Sequence, residues 1–409
     1  MSWQKISLGD AVKQDGGILQ TGPFGSQLKQ SEYAVEGVPV IMPKDIRNGE
    51  VIQKEVARVP EATAERLARH RVSEGGVVLP RRGEVSKRAF IRSDQAGWIC
   101  GTGCLKIEVN GVKVWPRFLY YYLALPSSVD WLLQNAVGST MLNLSAEIVS
   151  RFPLHLPSID VQKKLADNLS SYDEAIENNQ RRIQLLEESA RLLYREWFVH
   201  LHFPGHEHVK VTNGVPEGWE PCLLPQVIEV NPKEKIEKGK EIVYVPMSAL
   251  SETNMTVDTS KFEQRTKHTN VKFRQHDVLL ARITPCLENG KTGYVHFLKE
   301  DEQACGSTEF IVLRGKRVSS AFTYCLARSE HFRETAIQSM TGSSGRQRVQ
   351  ASSLADYTVP LPPQHLLEMF DEVAMQALEQ IGVLMAQNER LAKARDLLLP
   401  KLMSGELAA

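Results

Sequence analysis

Long apolar runs are missing from this 409-residue chain. None approaches the ~20 residues that span a bilayer, so no membrane partner is expected. The opening MSWQKISLGD has no apolar core of a secretory signal, which predicts a cytoplasmic protein. Cysteine is sparse: six residues lie scattered, and the closest pair, Cys100 and Cys104, has three residues between. That spacing excludes a dense disulfide framework and fits reduced, half-buried thiols. An excess of one charge is missing too, since 49 Lys and Arg balance 49 Asp and Glu. A uniformly basic nucleic-acid coat is therefore excluded.

Catalytic signatures are also absent. There is no Walker loop, no HExxH and no GxSxG, and the GTG at 101–103 is too short for a dinucleotide loop. A methyltransferase needs a Gly-rich cofactor loop and an Asn/Asp-Pro-Pro-aromatic motif, and Asn231-Pro232-Lys233 is not one. In the run Glu234-Lys235-Ile236-Glu237-Lys238 neither acid has a lysine two residues later, so a nuclease pair fails on spacing. The run reads as a solvated loop. The chain itself is expected to carry no catalysis and no cofactor.

What is present is ordinary globular material, said twice. Hydrophobic residues make up 42% and charged residues 24%, enough for two or three domains with cores. Trp3-Gln4 opens the chain and Gly218-Trp219-Glu220 opens its second half. Further matches follow in one order. Val40-Ile41-Met42-Pro43 resembles Val243-Tyr244-Val245-Pro246, and Val77 to Arg81 resembles Val278 to Arg282. Cys100-Gly101-Thr102 pairs with Cys305-Gly306-Ser307, Gly138-Ser139-Thr140 with Gly342-Ser343-Ser344, and Leu156-Pro157 with Leu361-Pro362. The charge alternates with the repeat: residues 1–150 and 219–355 are each net +3, whereas 158–200 is −2 and 360–409 is −3.

Each repeat begins with β-rich runs such as VPVIM, GGVVLP, EIVYVPM, DVLLARI and TEFIVL, mixed with short helical patterns. Each ends, after its Leu-Pro stop, in a long helical pattern. Leu165, Leu169, Tyr172, Ile176, Asn179, Ile183, Leu186, Ala190, Leu193 and Trp197 fall at alternating steps of four and three. Leu367, Phe370, Ala374, Ala377, Ile381, Leu384, Asn388, Leu391, Arg395, Leu398 and Leu402 do the same. Such heptads predict a coiled coil. The single Asn near the middle of each seam would fix register at some cost in stability. Pairing the helices antiparallel with Asn179 opposite Asn388 sets Leu165 against Leu402 and Trp197 against Phe370.

Together these residues carry a resemblance. GPFGSQL at 22–28, Leu156-Pro157 with Gln162, LLYREWFVHLHFPG at 192–205, VPEGW at 215–219, DVLLARITPCLENGK at 277–291 and LLLPKLMSGEL at 397–407 make the chain similar to the DNA-specificity subunits of type I restriction–modification systems. The resemblance implies a mixed α+β (α/β) architecture. Two globular target-recognition domains would be separated by two long antiparallel coiled-coil helices, with an internal pseudo-twofold repeat. The expected boundaries are 1–155 and 219–358 for the recognition domains, 156–200 and 359–409 for the helices, and 201–218 for a linker. The implied partners are double-stranded DNA, two modification (methyltransferase) subunits and restriction subunits. A coiled-coil interaction scaffold that binds no DNA is the alternative from another class.

For DNA the useful side chains are Arg, Lys, Asn and Gln on loops. Arg81, Arg82, Lys87 and Arg88 cluster in PRRGEVSKR, and the matching loop offers Arg282, Asn289 and Lys291. TGSSGRQR adds Ser343, Ser344, Arg346, Gln347 and Arg348, where the matching GSTMLNLS is uncharged. Lys44 and Arg47 are further candidates. The loop TGPFGSQL reads as architectural, with Phe24 plugging a small core. In HLHFPGHEH, an extended strand would set His200 and His202 on one side, as metal ligands sit. The resemblance favours a plain helix-to-domain linker, and no metal is expected.

Overall fold

Four consecutive buried residues mark the central strand of each half: Val77–Pro80 (VVLP) and Val278–Ala281 (VLLA). Continuous apolar runs of this kind belong to strands covered on both faces. The structure, a computed structural model, describes residues 3–47, 49–53, 56–138, 141–237, 239–267, 271–343 and 345–407. It divides into two units, one made of residues 1–175 and 390–409 and the other of 176–389.

In the first unit, Val77–Pro80 lies between Cys104–Glu108 and Ala89–Phe90, and Ile18–Thr21 completes an antiparallel four-stranded sheet. A second sheet runs Ala57–Val59, Val38–Ile41, Ile99–Cys100, its last pair parallel. Gln4–Ser7 pairs with Pro153–Leu156 where the chain enters and leaves the domain.

The second unit repeats this order. Val278–Ala281 lies between Phe310–Gly315 and Thr292–Tyr294, with Ile228–Val230 outermost. A mixed sheet holds Glu263–Arg265, Ile242–Val245, Gln303–Gly306 and Val271–Arg274, and Ile242–Val245 again runs parallel to its Cys-Gly strand. Glu220–Leu223 pairs with Thr358–Leu361. The sequence repeat is thus a repeat of strand order, down to one parallel pair per unit. All six cysteines are free, and five are buried.

The helical patterns form helices Ile159–Tyr194 and Gln364–Met403. Their seam residues enter the cores. Ile183, Ala190 and Tyr194 meet Phe370, Ala374, Ala377, Ile381 and Leu384 in the second unit. Leu165, Leu169 and Leu402 lie in the core of the first. In the second unit the segments run antiparallel, because Asn179 bonds Asn388 at 2.9 Å and the rings of Trp197 and Phe370 lie 6.5 Å apart. In the first, Arg395 Nη1 donates to Asp173 Oδ1 at 2.6 Å. Edge-to-face contacts of Tyr194 with Phe198 and Phe322, 5.3 and 5.1 Å between centroids, fix the helix end on its domain. Each such pair contributes about 0.5–1.5 kcal/mol beyond its buried area. Among the described residues no helix is long and apolar enough to cross a membrane.

In the run at 234–238, Lys235 and Glu237 are exposed as a solvated loop predicts and Lys238 lies outside the described residues, but Glu234 is drawn in. The Glu234 carboxylate is 10% exposed and pairs with Arg314 at 2.7 Å. Arg314 also grips the buried Asp277 through two hydrogen bonds of 2.7 Å. Burial acts to lower the Arg314 pKa, but the bonds to Asp277 and then Glu234 outweigh it and raise it. The partner that buries Glu234 is 80 residues away, where no local pattern points to it.

Candidate nucleic-acid interface

Strand Val77–Pro80 ends at Arg81, and Val278–Ala281 ends at Arg282. From these ends each unit builds the same joint. In the first unit Leu144 N donates to Arg81 O (2.7 Å) and Gly83 N to Leu142 O (3.1 Å). Asn143 bridges both Arg82 and Val137. In the second, Val349 N donates to Arg282 O (2.9 Å) and Thr284 N to Gln347 O (3.1 Å). Arg348 bridges both Ile283 and Thr341. The two loops singled out separately in each repeat are therefore one backbone-paired surface in each unit.

The side chains on that joint differ. Arg82 is exposed and has no ion-pair partner among the described residues. Arg81 is half-buried; its Nη2 reaches Asn143 Oδ1 at 3.5 Å and its Nε has no partner among the described residues. Burial, then the neighbouring Arg82 charge, lowers the Arg81 pKa, though arginine remains charged. Lys87 pairs with Glu84. Arg88 turns inward, with Nε donating to Tyr120 O at 3.1 Å and the guanidinium 4.9 Å above the Tyr120 ring. Lys44 and Arg47 are exposed on a separate turn and hairpin. That hairpin meets the strand after Arg88, where Phe90 N donates to Gly49 O at 3.1 Å.

In the second unit Arg282 Nη2 donates to Gln350 Oε1 at 3.0 Å, and its Nε, like that of Arg81, has no partner among the described residues. Asn289 donates to Glu252 at 3.3 Å, and Lys291 lies where the loop returns to strand Thr292–Tyr294. Ser343 and Arg346 are exposed, and Gln347 is half-buried. Ser344 lies outside the described residues. Arg348 is gripped by Glu309, with Nε and Nη2 bonds of 2.8–3.0 Å. The Arg348 hydrogen bonds hold the Glu309 carboxyl below its ordinary range. Arg348 thus shapes the loop, while Arg346 two residues earlier projects from it.

The loop TGPFGSQL joins the same surface. Gly22 N donates to Cys104 O at 2.9 Å. A Cβ on Gly22 would fall 2.0 Å from Gly101 O, so only glycine lets the loop lie against the Cys-Gly strand. Phe24 does not plug a core, as the sequence predicted. It is 54% exposed, and the Arg81 guanidinium sits 5.6 Å from its ring centroid. Ring and cation attract at this distance. The glycines carry the architecture and leave the ring free. At the equivalent place the second unit has Asn231 at φ 52°, bonded to Val312 through both backbone and side chain. Sequence reasoning did not single out Phe24, Asn143, Glu309 or Gln350 for this surface. Only Phe24 gave a local signal, a large ring between two turn glycines.

The histidines of HLHFPGHEH are not on a strand. Arg195–Val199 continues the helix as a π turn, and Leu201 turns the chain at φ 63°.

A family model for the type I restriction modification DNA specificity domain matches the chain twice, over residues 3–188 and 216–382. The MjaIX specificity subunit of a type I restriction enzyme from Methanocaldococcus jannaschii is 24% identical over 394 residues, 93% of this chain and 89% of that protein. The EcoEI specificity subunit from Escherichia coli is 34% identical over 157 residues, 36% of this chain and 26% of that one. A crystal structure of a type I restriction-modification S subunit from M. genitalium shares the fold, with a TM-score of 0.57 at 13% identity over 98% of this chain and 96% of that one. With the repeated domain matched over most of its length, the chain belongs to the family of type I restriction modification DNA specificity domains.

Proposed function

We propose that the chain is a non-catalytic specificity subunit whose two units each read one half of a bipartite, asymmetric DNA target. It would carry modification (methyltransferase) subunits, two in number, and restriction subunits that supply the chemistry. The observation that carries this reading is the joint built twice from the ends of Val77–Pro80 and Val278–Ala281. It holds the same backbone bonds in both units and different side chains on top. Phosphate contacts position a reader and base-edge contacts specify. Exposed Arg82, Lys44 and Arg47 in one unit, and exposed Arg346 and Ser343 with half-buried Lys291 in the other, suit the first task. Half-buried Arg81, Arg282 and Gln347, with exposed Asn289 held by Glu252, suit the second, because their positions are fixed. Lys87, Arg88 and Arg348 contribute by holding the loops in shape.

The test is to exchange residues 219–355 for the same region of a relative and map the modified sequence in cells that supply the partners. One half-site should change and the other persist. Change in both halves would refute independent reading. A chain whose affinity for random duplex did not fall with salt would be the scaffold without DNA binding.

A further inference from the structure

We propose that Glu196, His200 and His202 form a binding site for a divalent transition-metal ion of the zinc type, a site independent of DNA recognition. One ligand atom from each of the three lies within 4.8 Å of the others. Both imidazoles address the same carboxylate. His200 Nδ1 is 3.0 Å from Glu196 Oε1, and His202 Nδ1 is 3.0 Å from Glu196 Oε2. Two ligands of a tetrahedral zinc ion, each bound at about 2.0–2.2 Å, stand roughly 3.3 Å apart. The nitrogen–oxygen separations need to open by only a few tenths of an ångström to admit the ion. Without a metal, the Nδ1–H groups of the imidazoles donate to the carboxylate. With one, each proton shifts to Nε2 on the partly exposed edge of the ring.

The donors are held from below. Phe198 and Phe203, 6% and 3% exposed, bracket the histidines and sit in the core of this unit. Between them Leu201 adopts φ 63°, which a branched side chain rarely takes, and packs against that core. The reversal brings His200 and His202 back onto the last turn, with His200 N bonded to Arg195 O and His202 N to Glu196 O at 2.8 and 2.7 Å. A straight helix would set residues 200 and 202 on different faces.

His206 stands beside the three without belonging to the cluster. Its ring centroid is 5.5 Å from that of His202. Its Nδ1 bonds Phe203 O at 2.8 Å, which leaves Nε2 as the lone-pair nitrogen. A backbone carbonyl holding the far nitrogen is the usual support of a ligating histidine. Two imidazoles and a carboxylate favour zinc and its neighbours over calcium or magnesium, which prefer all-oxygen shells. The site would tie the end of the first long helix to the segment that enters the second recognition domain.

The experiment is titration of tag-free, full-length protein with Zn2+ by calorimetry, and with Co2+ by visible absorption, at neutral pH. One saturable equivalent and a four-coordinate cobalt spectrum are expected. His200→Ala combined with His202→Ala should abolish saturation, and Glu196→Gln should weaken binding by about 10–100-fold. His208→Ala, at a side chain 85% exposed and outside the cluster, should bind like the parent. Histidine ring signals in NMR provide a check on the unaltered chain: Zn2+ should shift those of His200 and His202. Absence of a saturable equivalent, binding that survives the double substitution, or zinc shifts confined to other histidines would each overturn the proposal.

Discussion

Asn179 Nδ2 donates to Asn388 Oδ1 at 2.9 Å, joining the midpoints of the two helical seams. Asn179 is 7% exposed, so its amide depends on this partner, with Gln387 Oε1 a longer contact at 3.5 Å. Replacing Asn388 by Leu should destabilise the unit by about 1–3 kcal/mol, because a buried amide loses its partner. Replacing both by Leu should recover that loss or exceed it, since an apolar seam outranks a polar pair in stability while specifying register less well. Chemical denaturation of the single variants Asn179→Leu and Asn388→Leu and of the double variant checks the order. A double variant no better than its parents would show that the pair does not act as a unit.

Arg82 and Arg346 are exposed cations on equivalent joints. If they meet phosphates, Arg82→Ala and Arg346→Ala should each weaken binding to all duplexes alike. Each should also make the salt slope shallower by about 1. Titrations at several salt concentrations on target and random duplex would measure both effects. A loss confined to the target would move that residue to the base-reading set.

Much of this was legible in the sequence, and what was not has one physical cause. Heptad steps report which helix face is buried, so Asn179 and Asn388 could be paired by register alone. Repeat matches located the strand ends Arg81 and Arg282 because buried runs such as VVLP and VLLA have a local signature. Phe24 and Glu234 were misread because their environments are set by distant residues. Phe24 is kept at the surface beside Arg81, and Glu234 is drawn in by Arg314. Local pattern cannot carry such partners.

His70 makes the first unit sensitive to acid. It is 2% exposed, Arg69 Nε donates to its Nε2 at 3.0 Å, and its Nδ1 bonds Thr21 O at 3.1 Å. Burial, then the Arg69 charge, holds its pKa below the ordinary value. Below an unfolded value of about 6.5 the unfolded chain takes up a proton that the folded chain resists. Stability should therefore be level above that pH and fall as pH drops from there toward the lower folded pKa. His70→Gln should flatten that slope in melts run between about pH 5 and 8. An unchanged slope would assign the acid sensitivity elsewhere.

Glu187, on the first long helix, is 3% exposed and receives the Tyr324 hydroxyl at 2.6 Å and Met255 N at 2.9 Å. Arg191 stands 3.9 Å away, near the rim. This carboxylate ties the helix to helix Ser320–Arg328 and to the Met255 segment that lies beside strand Thr292–Tyr294, all within one unit. Burial, then the Glu187 charge, pushes the Tyr324 phenol well above its usual pKa, so it stays a donor in alkali. Glu187→Ala strands two buried donors at once and should cost about 2–4 kcal/mol. Tyr324→Phe removes one donor and leaves the carboxylate its other bond, so about 1 kcal/mol is expected. The double variant should cost less than the two single changes together, because the shared bond can be lost only once. Urea midpoints for the four proteins measure this, and the destabilised transition should be that of residues 176–389. If Glu187→Ala shifted stability by less than about 0.5 kcal/mol, as surface substitutions do, the carboxylate would not be what fastens this domain to its helix.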